Sequence, residues 1–153
     1  MSVQTILKKF VITDPTITKD VVVDGGAWLA VCTKAQTYRL FEVPEPGAED
    51  CTVLYRAKLK TEGLTGKAYI EMWCRLPARG EFFSKGLNQT VTGSNDWVTC
   101  EIPFFLKKGE KPDLIRLNLV VEAVGKIFKK AIAGKIWIRD VELLTRPAGV
   151  DVH

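Results

Sequence analysis

The sequence predicts an all-β fold, an antiparallel two-sheet β-sandwich or a barrel, with roughly eight or nine strands. Two observations predict it. Extended runs of alternating polarity recur along the chain, most of them broken by turn residues such as Gly, Pro, Asn or Asp. Only one short segment has helical spacing, and no repeat of fixed period is present. With 153 residues, 46% of them hydrophobic, the chain can bury a core without disulfides or metal. It reads as a single domain over residues 1–153, with a basic amphipathic insertion at 123–134.

The strands follow in order. Residues 5–13 form the first, ended by Asp14-Pro15. Residues 21–23 precede the turn Asp24-Gly25-Gly26, and an extended run resumes over 28–32. Residues 37–43 are closed by Pro44-Glu45-Pro46-Gly47, because proline cannot donate to a ladder. Over 52–61, Val53, Tyr55, Ala57 and Leu59 share one face and Arg56, Lys58 and Lys60 the other. Gly63 to Gly66 reads as a short turn that makes this run and the 69–76 run hairpin neighbours. Pro77 to Asp96 reads as a long loop carrying Phe82 and Phe83. Residues 97–105 place Val98, Cys100 and Ile102 inward. Residues 114–122 do the same with Ile115, Leu117, Leu119 and Val121, and the last strand spans 135–144.

In the insertion, Val124, Ile127, Phe128, Ala131 and Ile132 follow helical spacing, with Lys126, Lys129 and Lys130 on the other side. Its length and bounding glycines also suit an extended hairpin. Packing against the domain is expected. Membrane contact through Lys126, Phe128, Lys129 and Lys130 is the alternative.

Several function classes fall away. The net charge of +4 is mild and its basic residues are interleaved with acids, so nucleic-acid binding is not signalled. The first residues are broken by Lys8 and Lys9, unlike a secretory signal, and no run nears the roughly 20 apolar residues of a spanning helix. The sequence reads as a soluble chain, with its location open. Cys32, Cys51, Cys74 and Cys100 are widely spaced and the single histidine is His153, which argues against zinc or any cofactor. Buried free thiols are expected, with a disulfide as the alternative. Without a histidine in the fold, Ser–His and Cys–His nucleophiles are excluded. Glu71, Glu101 and Glu122 are each expected to face a cation across a strand rather than form a glycosidase pair. No catalytic residue is assigned.

The run Tyr69-Ile70-Glu71-Met72-Trp73-Cys74-Arg75-Leu76 carries the functional reading. Ile70, Met72, Cys74 and Leu76 face a core. Tyr69, Glu71, Trp73 and Arg75 face outward, mixing flat rings with charged groups, as a pyranose with an apolar face and directional hydroxyls requires. If the 52–61, 69–76, 97–105 and 114–122 strands share a sheet, Arg56, Arg116, Asn118 and Glu122 join them. Trp73 is open to a second reading, in which Phe82 or Phe83 caps it as a small extra core.

One resemblance adds to this. The segments WCRLP, GEFFSKGL, NDW, PFFLKKGEKPD, IRLNLVVE and GKIWIRDVELL resemble, in that order, the galactose-binding-like jelly-roll superfamily, which includes many carbohydrate-binding modules. The closing strand is similar to the pattern G-x-[VI]-W-[IVF]-D-D-[VI]-x-[LF], matched by Gly134, Trp137, Asp140, Val141 and Leu143 and departed from at Arg139. The resemblance covers roughly residues 37–146. It implies a β-sandwich of jelly-roll type, a first strand beside the last, a structural Trp137, and a ligand site on the concave face or end loops. Members often hold calcium near the first and last strands, but Arg139 puts a cation there, so no metal is assigned. The expected function is non-catalytic binding of a carbohydrate or similar polar ligand. The alternative is a structural or interaction domain of a larger protein, its polar face solvated or roofed by residues 77–96.

Overall fold

In the computed structural model, residues 3–124 and 132–148 are described. Lys126, Phe128, Lys129 and Lys130 of the insertion lie outside them. The described residues form nine strands: β1 (Thr5–Lys9), β2 (Val21–Asp24), β3 (Ala27–Val31), β4 (Gln36–Pro44), β5 (Cys51–Leu76), β6 (Gly80–Lys85), β7 (Val91–Phe105), β8 (Leu114–Glu122) and β9 (Lys135–Pro147). Every pairing is antiparallel.

β5 organises the sandwich. Its first half lies between β7 and β9, and β9 continues the layer to β3 and β2, with β1 on its far end. Its second half lies between β6 and β8, and β8 continues the opposite layer to β4. The sequence expectation of a hairpin turn at Gly63–Gly66 is therefore corrected, since these residues stay within β5, which bulges at Gly63 (φ +59°) and changes layers. Gly66 and Gly134 are needed for clearance. A Cβ at Gly66 would stand 2.5 Å from the Glu122 carbonyl oxygen, and one at Gly134 would stand 2.6 Å from the Gly63 carbonyl oxygen. Glycine inside a strand marks a bend or a close backbone approach as readily as a turn.

The core lies between the layers. Tyr55, Ala57 and Leu59 from one half of β5 meet Ile70, Met72 and Cys74 from the other, with Ile115, Leu117 and Leu119 of β8 and Ile136 and Ile138 of β9. Trp28 of β3 closes it edge-on against Phe41 of β4, which stacks on Phe10 at 4.0 Å. The Tyr55 hydroxyl donates to the Asn118 carbonyl at 3.2 Å, linking the layers through the core. β1 pairs with β9, as the resemblance implies. All four cysteines are free thiols.

Residues 77–96 were expected to form a loop. Instead they form β6, a hairpin partner of β5, and the start of β7. Alternating residues explain the difference: Phe83 stands opposite Trp73 and Glu81 opposite Arg75, so the segment extends the polar face as an edge strand rather than roofing it.

Candidate ligand-binding face

Register assembles the outward face of the β4–β8–β5–β6 layer row by row. Phe83, Trp73, Arg116 and Glu42 form one row. Lys85, Glu71, Asn118 and Arg39 form the next, followed by Tyr69, Val120 and Thr37. A cleft of about 280 Å³ lies over the first two rows, lined by Thr37, Arg39, Glu71, Trp73, Glu81, Arg116 and Asn118. A larger hollow of about 590 Å³ lies at one end of the sandwich, beside Glu45, Glu49, Pro77, Lys111 and Asp113. Asp113 accepts from Arg75, and Glu49 faces Lys111, so two of its acids are already engaged.

Glu71 is the hub of the face. It is 5% exposed, and its Oε1 accepts from the Trp73 indole Nε1 at 2.9 Å and the Asn118 amide Nδ2 at 3.0 Å. Lys85 Nζ lies 3.7 Å from its other oxygen. A carboxylate that satisfies three donors fixes the plane of the indole and the orientation of the amide. Trp73 is half-buried, its ring 5.1 Å from that of Phe83, which is 54% exposed. The two rings, inclined by 49° to each other, make an apolar shelf beside the cleft.

The other expected site residues divide. Arg116 lies in the cleft, clamped by Glu42 at 2.9 Å and Glu81 at 2.6 Å. Arg75 is on the same face and held at 2.8 Å by Asp113, whose hydrogen bond raises the arginine's already high pKa. Tyr69 points outward as expected but is only 1% exposed. It offers no open ring, and its hydroxyl donates to Glu122 at 2.6 Å. Burial first, and then that hydrogen bond, push its pKa well up. Glu122 is further engaged by Lys67 at 3.8 Å. Both act as supports for the face.

Arg56 is a correction. The 52–61 and 69–76 runs were expected to share a sheet, but the two halves of β5 belong to opposite layers. Arg56 therefore lies on the outer side of the other layer, where it binds Glu101 at 2.7 Å and Gln4 at 3.1 Å. Trp137 is also on that side, its Nε1 donating to Asp24 at 2.8 Å, and Arg139 stacks over Trp97 at 4.0 Å.

Sequence reading missed Thr37, Arg39, Glu42, Glu81 and Lys85. Their alternation in β4 and β6 is visible in the chain, but only the pairing of β4 with β8 and β6 with β5 brings them to the cleft. Among the described residues, no group of three or more His, Cys, Asp or Glu side chains is arranged to hold a metal.

No family model matches this sequence, and no curated protein matches it. Solved structures share its fold. The Clostridium thermocellum endo-1,4-β-D-xylanase 10B CBM22-1–GH10 modules, complexed with xylohexaose, align with a TM-score of 0.59 at 7% identity, covering 93% of this chain and 29% of that one. The family 30 carbohydrate-binding module of the cellulosomal cellulase Cel9D-Cel44B of Clostridium thermocellum aligns at 0.51 with 12% identity, covering 99% of both. The infectious bursal disease virus Gx strain structure aligns at 0.56 with 9% identity, covering 99% of this chain and 34% of that one. This chain thus spans about a third of the length of the xylanase and virus chains. At such identities the likeness concerns fold, and the fold of this chain is a jelly-roll β-sandwich like that of carbohydrate-binding modules.

Proposed function

We propose that this chain is one non-catalytic β-sandwich module that binds a carbohydrate on the outward face of the β4–β8–β5–β6 layer. The observation that carries the reading is the Trp73 indole, held by Glu71 beside a polar cleft and extended by Phe83. A pyranose stacking its C–H face on this shelf would direct its hydroxyls toward Arg116, Asn118 and Arg39. The carboxylates there are already tied to cations or amides, which favours recognition over acid–base chemistry. The carbohydrate-binding modules that share the fold support the same reading.

A glycan array followed by affinity electrophoresis, comparing wild type with Trp73→Ala, tests it. Loss of a buried aromatic anchor typically costs about 2 kcal/mol, or roughly thirtyfold in affinity. If the wild type binds no glycan, or Trp73→Ala binds as tightly, the chain is better read as a structural or interaction domain with a solvated polar face.

A further inference from the structure

We propose that the glycan recognised by this face is acidic, a uronate that places its carboxylate on Arg39 and a neighbouring hydroxyl on Asn118. The inference rests on the glycan reading of the same cleft and concerns its ligand class.

The cations of this face are unequally occupied. Arg75 is held by Asp113 at 2.8 Å, Lys85 faces Glu71 at 3.7 Å, and Arg116 is clamped at 2.9 and 2.6 Å by two glutamates. The Arg39 guanidinium lines the cleft and has no hydrogen bond, ion pair or ring contact with any described residue. It is exposed and stands directly opposite Asn118 across the β4–β8 ladder.

Asn118 supplies an independent observation. It is only 4% exposed, and its Nδ2 is bound to Glu71 at 3.0 Å. Its Oδ1 is buried without a hydrogen-bond partner. Because Glu71 accepts only, the amide cannot flip to pair this oxygen without losing the bond it has. Buried acceptors are satisfied in the great majority of folded proteins, so an unpaired oxygen on a residue that lines the cleft points to a missing donor there.

The two unfilled groups ask for different chemistry. A planar guanidinium is best matched by a carboxylate, which it can grip with two parallel bonds. An amide oxygen needs a donor, which a carboxylate lacks and a hydroxyl provides. A sugar ring carrying both, seated on Trp73, meets all three features at once. The acids lining the cleft do not oppose it, since Glu71 and Glu81 are each engaged by cations of the face.

The test uses a panel of uronate-containing oligosaccharides, each paired with its carboxyl-reduced counterpart, titrated against the whole chain and against Arg39→Gln. Wild type should bind the best acidic member about tenfold more tightly than its reduced partner, the usual advantage of a charged over a neutral hydrogen bond. Arg39→Gln, at an exposed side chain, should bring the pair to within about twofold. Equal or tighter binding of the reduced member by wild type, or a preference that survives in Arg39→Gln, overturns the inference and leaves the glycan face standing. Binding of no acidic or neutral member overturns both.

Discussion

Glu71 is the residue whose replacement best separates a supporting from a catalytic carboxylate. Three donors converge on it, two of them on the same oxygen at 2.9 and 3.0 Å. Glu71→Gln keeps a carbonyl oxygen for both, so the loss is that of a charged for a neutral acceptor, about 1 kcal/mol in all. Lys85, at 3.7 Å, can turn to solvent at little cost. Glu71→Leu removes the acceptor altogether. The buried Asn118 amide then loses its acceptor and the half-buried indole N–H is left to find water, a combined cost of about 2–4 kcal/mol. In urea, with a slope of about 2 kcal/mol/M, the midpoint should fall by roughly 0.5 M for Gln and by 1–2 M for Leu. Glycan affinity should stay within about threefold in the Gln variant and fall at least tenfold in the Leu variant, whose indole has lost its tether. Equal costs for the two variants, or a wild-type midpoint in Glu71→Leu, would refute the hub. Glycan hydrolysis by the wild type that Glu71→Gln abolishes would refute the non-catalytic reading.

Gly134→Ala should destabilise the fold by about 3 kcal/mol or more, because its φ is +117° and the added methyl would meet Gly63 and Leu64 backbone atoms at 2.6 Å. A thermal melt within a degree or two of wild type would contradict the close crossing of β5 and residues 132–134. Burial raises the Cys74 pKa from 9.0 to about 12. The neutral thiol is thus favoured in the fold, and its stabilising contribution is complete below pH 9 and lost as pH rises toward 12, by about 4 kcal/mol in total. Urea midpoints that stay flat from pH 8 to 11, or fall as steeply in Cys74→Ala, would count against it. Tyr55→Phe should cost about 1 kcal/mol, since it removes a 3.2 Å hydrogen bond to the Asn118 carbonyl and strands no donor. A loss above about 3 kcal/mol would mean the hydroxyl does more than that single bond.

Strand identity was legible wherever alternation was strong. β8 spans the predicted residues 114–122, and β2, β3 and β4 fall within a residue or so of their expected limits. The inward sets of the 69–76 and 114–122 runs are buried as expected. Burial on the outward face was not legible. Asn118 is short and lies between Arg39 and Glu71 in its row and beside Arg116 along its strand, so its depth follows from the length of its neighbours. Periodicity reports direction, and depth depends on the size of cross-strand neighbours, which only register reveals.

The larger failure has one cause. A pair of glycines between two alternating runs is compatible with a turn and with a strand that bends past a crowded crossing, and local sequence does not distinguish them. The choice decides which side chains meet. With a turn, Arg56 and Trp73 would be cross-strand neighbours on one face. With the bend, the same outward phase in the two halves of β5 faces opposite sides of the sandwich. Trp73 keeps its companions only because β8, β4 and β6 are recruited to the second half, and they bring Arg39 and Phe83, the groups that give the cleft its cation and its second ring. The chemistry of this face is therefore set by where β5 changes layers, and Gly66 permits that change by leaving room for the Glu122 carbonyl.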